Sequence, residues 1–412
     1  MTAAALAPGA AMTSTRRFVA LALLGGVFVM DGYDLNAMAL AVPRLEGALG
    51  LAPTQFGVVF SAVLVGLGAG AALVAPLGDR IGRRPLITIS CLIVAAATLM
   101  TAMATSITEF ALWRFITGLA LGACLPNCTA LSAELAPPRM RATIMSLVAS
   151  GIVLGAVAAG ESAQAVVAMA GWEGLFFVPG AFAAVLAVAL WFVLPAGATR
   201  PAAPPAAGKV PQFEVFRQPW TLPFAVFATA LTLNAGSLYM LTSWTPTVLP
   251  QAGFTLDEAA RVTGRMQGAG LLLGMAMSVL IDRWRPGLTM VGGFSLMTLC
   301  FLAIGLTAPD PARWTLLLLV GVGCVSGAAM ALPALTAYLF PSHMLSTVVG
   351  MGVLIARIGA IAGPLVGQAM LSAEVSPRLF IASAALPAGL AALVCLAIPA
   401  ALAVRRRQEQ AA

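Results

Sequence analysis

The sequence predicts an all-α integral membrane protein with twelve transmembrane helices in two pseudo-symmetric six-helix bundles. The prediction rests on the apolar composition, on twelve long apolar segments and on an internal repeat. Of the 412 residues, 60% are hydrophobic and 9% are charged, and the mean hydropathy is +0.98. Soluble domains are about 25% charged. So little charge could not cover a water-exposed surface, so most of this surface must face lipid.

The net charge of +7 invites a nucleic-acid interpretation. The basic residues, however, stand in short clusters between apolar segments and not on one face or tail, so we expect no nucleic-acid partner. All six cysteines lie inside apolar segments, which is typical of small buried hydrophobic residues. Cys124 and Cys128 share a helix face, but His343 is the only histidine and is distant in sequence, so we expect no metal site.

Twelve apolar segments approach or exceed the roughly 20 residues that a transmembrane helix needs. The segments are predicted at 17–42, 54–77, 86–105, 109–135, 142–168, 174–195, 220–249, 258–281, 288–307, 313–339, 344–371 and 377–403. The first 15 residues do not resemble a cleaved signal peptide, so the first segment is predicted to remain as a helix. Fifteen of the 22 basic residues fall in one set of connections. The positive-inside rule therefore predicts a multi-pass inner-membrane protein with both termini in the cytoplasm.

The segment 196–219 contains a run rich in proline and alanine, PAAPPAAGKVP. It is too short and too poor in apolar side chains to form a domain, so we interpret it as a cytoplasmic linker. The predicted organisation is an N-terminal bundle over 1–195, the linker, and a C-terminal bundle over 220–412.

The two predicted bundles share an internal repeat. The 30 residues from Leu131 align without gaps on those from Leu335, which pairs Pro137 with Pro341 and Gly155 with Gly359. At nearly the same offset, Asp79-Arg80 matches Asp282-Arg283. Duplicated six-helix halves with a solute site at their interface are an architecture of transporters.

The connection after the second segment reads GDRIGRRP, from Gly78 to Pro85. It resembles the G-x-x-x-D-R-x-G-R-R loop of the major facilitator superfamily. Charge-assisted bonds in such a loop can hold helix ends together in one state of a transport cycle, which would make it a gate. The alternative is a basic loop that only sets topology. The predicted gate residues are Gly78, Asp79, Arg80, Gly82, Arg83, Arg84, Glu134, Arg141, Asp282 and Arg283.

A finer resemblance extends over essentially the whole chain. The runs DGYD from Asp31, WRFITGLALGACLPN from Trp113 and ARIGAIAGPL from Ala356 are similar to the aromatic acid:proton symporter branch of the same superfamily. So is the W-x-P of the seventh segment, at Trp244. The resemblance implies inward transport of a benzoate-like, hydroxyphenylpropionate-like, phenoxyacetate-like or muconate-like anion together with protons.

Asp31 and Asp34 are predicted to couple transport to protons. They are three residues apart and therefore point to one side of a helix. At 1.5 Å per residue, Asp31 lies roughly 20 Å from the cytoplasmic Arg17, well inside the bilayer. An ionised carboxylate at that depth must be paired or protonated during part of the cycle, as a reversible proton carrier requires. The alternative is a structural role, as a helix cap or a salt bridge.

Arg114 and Arg357 are predicted to bind the substrate anion, one in each half. A guanidinium matches a carboxylate with two parallel hydrogen bonds, and its plane can stack on an aromatic ring. For Arg114 the alternative is a helix-end arginine that reaches the outer interface. For Arg357 it is an ion pair with a carboxylate elsewhere in the bundle.

Other polar and aromatic residues at mid-span depth could complete the cavity, although an interhelical hydrogen bond is about as plausible for each. These are Tyr33, Asn36, Asn127, Asn234, Tyr239, Trp244, Gln267, Tyr338 and Gln368. His343 is only a weak candidate for a proton relay. No catalytic residues are assigned, because no nucleotide-binding or metalloprotease motif is present and one histidine supports no catalytic triad.

The leading hypothesis is therefore proton-coupled secondary active import of a small aromatic carboxylate by alternating access. It needs no cofactor other than the coupling proton, and its partners would be the solute and the lipid bilayer, with the protein working as a monomer. The alternatives are a carrier of another organic anion or metabolite, or a drug efflux antiporter. A polytopic membrane enzyme is a remote alternative, because it should gather reactive groups at one membrane face.

Overall fold

The computed structural model describes residues 12–195 and 216–411, and every regular element in these ranges is helical. Twelve of the described helices are long and apolar enough to cross a membrane. They are α1 (Ser14–Leu49), α2 (Pro53–Ile81), α3 (Arg83–Ala102), α4 (Ile107–Leu135), α5 (Thr143–Ala170), α6 (Gly174–Val193), α7 (Thr221–Gln251), α8 (Leu256–Arg283), α9 (Pro286–Leu306), α10 (Pro311–Leu339), α11 (Thr347–Ser372) and α12 (Pro377–Gln408). The predicted all-α fold with twelve spans is confirmed. Most of the predicted linker, including Lys209, lies outside the described residues.

Most predicted spans end within a few residues of the observed helices, and α1 is the main exception. The first span is predicted to end at residue 42, before Pro43, whereas α1 continues through this proline to Leu49. The Arg44 guanidinium donates to the carbonyl of Leu40 at 2.6 Å, which places a charged side chain against the backbone near the proline. The helix then ends at Gly50, whose positive φ of 69° is typical of a C-terminal glycine cap.

Two of the spanning helices are irregular. In α2, a π-helical turn at Gly70–Val74 is followed by a 3₁₀ turn at Ala75–Leu77. Pro76, which has no backbone N–H to donate, lies in that 3₁₀ turn. In α12, regular helix is interrupted after Ser383 and again after Cys395. The irregular part of α2 leads directly into the GDRIGRRP loop.

The chain divides into two compact units at Pro204–Pro205, which lies outside the described residues. Within the first unit the most extensive helix pairs are α1 with α5, α2 with α4, and α3 with α6. Within the second unit they are α7 with α11, α8 with α10, and α9 with α12. Each pair of the first unit thus has its sequence-repeat counterpart in the second.

Small residues allow the paired helices to approach closely at repeat-equivalent positions. A Cβ added at Gly155 would lie 1.9 Å from the Val29 carbonyl oxygen, in the α1–α5 contact. A Cβ added at Gly359 would lie 2.1 Å from the Thr232 carbonyl oxygen, in the α7–α11 contact. Only glycine permits backbones to come this close, as is usual where transmembrane helices pack.

The close contact between α1 and α5 predicts that one added methyl group on α1 lowers stability at Gly32 but not at Gly25. Gly32→Ala would place its Cβ 1.9 Å from the Ile152 carbonyl oxygen, so we expect a loss of about 1–3 kcal/mol in the free energy of unfolding. Gly25→Ala is the matched control, because a Cβ at Gly25 has nothing within 4 Å. Thermal unfolding in detergent tests this. Equal stability of the two variants would contradict the close packing of α1 on α5.

Candidate functional site

A buried ion pair joins α1 and α4 in the first unit. Arg114 Nη1 lies 2.8 Å from Asp34 Oδ2, and Arg114 Nη2 lies 3.0 Å from Asp34 Oδ1. The two side chains are 1% and 0% exposed. The pair therefore has the two-pronged geometry in which a guanidinium binds a carboxylate most strongly.

Further groups fix this pair in place. The Thr98 hydroxyl on α3 donates to Asp34 Oδ1 at 2.9 Å, and Arg114 Nη1 also donates to the Asp34 backbone carbonyl at 3.3 Å. The Arg114 guanidinium carbon lies 5.4 Å from the centroid of the Phe176 ring on α6. Such a contact between a cation and an aromatic face is favourable, especially when it is desolvated. Arg114 Nε has no hydrogen-bond partner among the described residues.

This placement excludes one interpretation of Arg114, and it matches the salt-bridge alternative that the sequence left open for Asp34. An arginine that reaches the outer interface would be exposed at its tip, whereas Arg114 is fully buried, so that alternative is wrong. Removing one partner of a buried ion pair typically costs about 3–5 kcal/mol because the other charge is left unpaired. The ion pair can therefore separate at low cost only if one partner is neutralised, or another charge takes its place, at the same time.

The other residues predicted near Asp34 are also buried. Asp31, one turn away on α1, is 1% exposed. The Tyr33 hydroxyl lies 3.2 Å from the Ser162 hydroxyl of α5, and Asn36 donates to the Gly32 carbonyl within α1 at 2.8 Å. The structure therefore brings Asp31, Asp34 and Arg114 into the same buried region, as the sequence predicts for the two aspartates.

Sequence reasoning missed two partners of this pair, Thr98 and Phe176. Thr98 is one hydroxyl in the apolar run of α3, and Phe176 is one of 19 phenylalanines. Neither role could be identified from the sequence. The Thr98–Asp34 hydrogen bond, for example, spans 64 residues of chain and depends on how α1 and α3 pack.

A second cluster of charges lies at the loop between α2 and α3. Arg83 forms an ion pair with Glu134 at the end of α4, and its other Nη atom lies 3.6 Å from Asp79 at the end of α2. The three side chains are 17%, 23% and 59% exposed, in the order Arg83, Glu134, Asp79. Arg83 thus links the ends of three helices, and the role of these contacts as a gate stays a prediction.

The backbone conformation and packing of the loop explain why two of its positions are occupied by glycine. Gly82 has a φ of 101°, a left-handed conformation that favours glycine and that turns the chain from α2 into α3. A Cβ at Gly78 would lie 2.0 Å from Asn127 Oδ1. Asn127 in turn donates to the carbonyl of Ala75 at 3.0 Å. Asn127, predicted as a cavity residue, therefore lies against the loop and links α4 to α2.

The remaining predicted gate residues differ in their contacts. Arg84 stacks on Trp191, with its guanidinium carbon 4.4 Å from the ring centroid. Among the described residues, the other three arginines of the predicted gate form no ion pair; they are Arg80, Arg141 and Arg283.

In the second unit, Asp282 accepts a hydrogen bond from the Tyr338 hydroxyl at 2.6 Å. Tyr338 is the penultimate residue of α10, so its predicted mid-span depth is wrong. Among the described residues, Asp282, the repeat counterpart of Asp79, is therefore held by a neutral hydroxyl and forms no ion pair with an arginine.

The contacts of Arg83 predict that neutralising its two acidic partners slows transport to different extents. Glu134→Gln should lower the maximal uptake rate about two- to fivefold, the range expected for a partly exposed ion pair, with little change in KM. Asp79→Asn should have a smaller effect, because Asp79 is more exposed and farther from Arg83. Glu46→Gln, which neutralises an exposed carboxylate on α1, is the control. Normal uptake by both gate variants would leave the loop with a topological role alone.

Arg357 on α11 is the predicted intramembrane cation of the second unit. Its side chain is partly buried, and it forms no ion pair with any described carboxylate. The ion-pair alternative for Arg357 is therefore not found among the described residues. Gln368 lies eleven residues later, three turns along the same face of α11, and its buried Oε1 has no partner among the described residues.

Other predicted cavity residues of the second unit are engaged in helix packing. The Trp244 indole N–H donates to the Pro364 carbonyl at 2.9 Å, and the side chain is 0% exposed. Gln267 accepts from the Ser326 hydroxyl at 2.8 Å, and Asn234 donates to the Val325 carbonyl at 3.0 Å. These placements favour the packing interpretation for the three residues. Tyr239 is partly exposed.

The fold agrees with the comparisons to known proteins. The family model described as Major Facilitator Superfamily matches residues 22–364, so the chain belongs to this family. A solved bacterial homologue of the human lysosomal transporter Spinster has the same fold, with a TM-score of 0.79 at 16% identity. The match covers 93% of this chain and 97% of that one.

Several curated relatives match over most of the chain. A gallate transporter of Pseudomonas putida is 30% identical, over 90% of this chain and 89% of its own. A 4-hydroxybenzoate transporter of Pseudomonas aeruginosa is 30% identical, over 92% and 91%. A 3-(3-hydroxy-phenyl)propionate transporter of Escherichia coli is 31% identical, over 87% and 88%. The resemblance to the aromatic acid branch is confirmed. The protein is a multi-pass membrane transporter related to aromatic acid transporters, and it is not an enzyme.

Proposed function

We propose that this protein imports a small aromatic carboxylate together with protons by alternating access. The observation that carries the proposal is the buried Asp34–Arg114 pair, which offers a titratable carboxylate and an anion-binding guanidinium in direct contact. The relatives named as transporters of gallate, 4-hydroxybenzoate and 3-(3-hydroxy-phenyl)propionate support the class of solute.

The coupling follows from charge balance at the pair. In the empty site the Asp34 carboxylate neutralises Arg114. If a proton binds Asp34, the guanidinium loses its anionic partner and its two N–H groups become available to the carboxylate of the solute. The site is then again neutral, because one proton and one anion have entered together.

The same charge balance disfavours binding of the proton alone or of the anion alone. A proton alone would leave a bare buried guanidinium, and an anion alone would bring a second carboxylate to one arginine. Either state leaves an uncompensated charge in the buried region, which typically costs several kcal/mol. The proton and the anion are therefore bound together or not at all, which is the requirement for symport.

Arg357 is the second anion-binding group of the proposal. It is partly accessible and has no carboxylate partner among the described residues, so its fork is available to a solute. A guanidinium can also stack on an aromatic ring, which suits a solute that is both an anion and an arene.

Membrane location and orientation belong to the same proposal. The clustering of 15 of the 22 basic residues in one set of connections supports an inner-membrane protein with both termini in the cytoplasm. Labelling of single cysteines introduced near residue 407 in sealed, oriented cells tests the orientation. Rapid labelling by an impermeant reagent from outside would overturn it.

The experiment for the function is uptake into proteoliposomes with an imposed pH gradient. The labelled panel is gallate, 4-hydroxybenzoate, 3-hydroxyphenylpropionate, muconate and a neutral sugar. We expect accumulation of at least one aromatic acid, stimulated by an inward proton gradient and abolished by a protonophore. Uptake indifferent to both would reduce the protein to a facilitator. Accumulation of muconate alone would favour the carrier of another organic anion, and outward movement against the gradient would favour efflux.

A further inference from the structure

A groove lies between the start of α9 and the end of α12, within the second unit and outside the site described above. Its volume is about 540 Å³. Its lining includes Arg285, Arg406, Val291, Leu396 and Pro399. The groove thus combines two cations with an apolar lining.

The charge around this groove is strongly positive. Five arginines lie in the two chain segments that border it, at positions 283, 285, 405, 406 and 407. Arg285 and Arg406 are exposed and form no ion pair with the carboxylates that the structure describes. Two acids lie next to these arginines in sequence: Asp282 accepts a hydrogen bond from Tyr338, and the side chain of Glu409 lies outside the described part of the structure. Among the described residues, the two guanidinium groups of the groove lining are therefore available to an anionic ligand.

The apolar part of the groove indicates what kind of anion would fit. Trp284 also lines the groove and is 75% exposed. Tryptophan is enriched where transmembrane helices meet the headgroup region of the bilayer, and this tryptophan ends a spanning helix. A small free anion would use the arginines but would leave the apolar wall uncovered, whereas a phospholipid covers both.

We propose that this groove binds an acidic phospholipid of the leaflet on the side of the chain termini. Arg285 and Arg406 hold the phosphodiester, and the wall around Leu396 takes the first part of an acyl chain. Basic pockets between transmembrane helices are the type of site that acidic headgroups occupy. The lipid would bind α9 and α12, which carry none of the proposed transport residues.

Native mass spectrometry of the purified protein, titrated with phosphatidylglycerol or phosphatidylcholine, tests the proposal. The test variant is Arg285→Gln with Arg406→Gln. The matched control is Arg283→Gln with Arg407→Gln, which removes the same charge from the same segments but not from the groove lining. We expect the test variant to lose about tenfold or more in affinity for the first phosphatidylglycerol, since each basic residue contributes appreciably to binding an acidic lipid. The control should lose less than about threefold.

Three outcomes would overturn the proposal. Equal losses in the two double variants would show attraction to net charge and not to this groove. Equal affinity of wild type for the two lipids would show that the headgroup charge is not recognised. Competition by glycerol 3-phosphate as strong as that of the lipid would assign the groove to small phosphates. Thermal unfolding of both variants in detergent verifies that they remain folded, and transport activity is not needed for any of these results.

Discussion

Replacing Asp34 by asparagine is expected to abolish gradient-driven accumulation of the aromatic acid while its binding remains measurable. The amide has nearly the shape of the protonated carboxyl group, and its oxygen can still accept from Arg114 and Thr98. It cannot take up or release a proton. The variant should therefore equilibrate the solute across the membrane, and its affinity should no longer depend on pH where wild type does.

Asp31→Asn is the matched control, because Asp31 is equally buried on the same helix but is not the partner of Arg114. We expect Asp31→Asn to retain more accumulation than Asp34→Asn. The opposite order would assign the proton to Asp31 and would leave Asp34 as a structural partner of Arg114. Thermal unfolding must accompany both measurements, because an unpaired Arg114 also lowers the stability of the fold.

Replacing Arg357 by lysine is expected to weaken binding of the acid by about 1.5–3 kcal/mol, the usual contribution of a charged hydrogen bond. This corresponds to a loss of roughly 10- to 150-fold in affinity. The reason is that lysine keeps the charge but loses the planar fork and the stacking surface. The amide analogue of the same acid should lose much less, because it carries no anionic group for the fork.

Arg114→Lys provides the comparison in the first unit, and Arg313→Lys, on an exposed arginine, provides the control. Arg114→Lys should weaken acid binding and also lower the unfolding temperature, because lysine cannot bridge both oxygens of Asp34. Direct binding of acid and amide in detergent separates these effects. If Arg114→Lys and Arg357→Lys both bind the acid as well as wild type, the anion site lies elsewhere.

The overall fold could be predicted because lipid imposes a simple rule on the sequence. A helix that crosses the hydrocarbon must be long and apolar, so the ends of α4 and α6 could be placed from composition alone. The end of α1 could not. Proline usually marks a helix end, and only the packed structure shows α1 continuing through Pro43 to Leu49.

The site was predictable in its residue types but not in its pairings. A charge within a span is costly, which singles out Asp31, Asp34, Arg114 and Arg357 in the sequence. The contact between Asp34 and Arg114 joins residues 80 positions apart and depends on how α1 and α4 pack. Tyr338 shows the opposite case. The predicted segment 313–339 already placed it one residue before a helix end, as the structure does, and that position excludes mid-span depth.

The number of protons taken up when the solute binds distinguishes proton-linked binding from binding of the anion alone. Purified protein in weakly buffered detergent solution is mixed with 4-hydroxybenzoate or gallate, and a pH indicator reports the protons removed from solution per acid bound. If one proton on Asp34 releases Arg114 for the carboxylate, wild type should take up about one proton per bound anion, as linkage between the two ligands requires. Asp34→Asn should bind the acid and take up none. Binding by wild type without proton uptake, or unchanged proton uptake by Asp34→Asn, would rule out Asp34 as the group that takes up the proton when the anion binds.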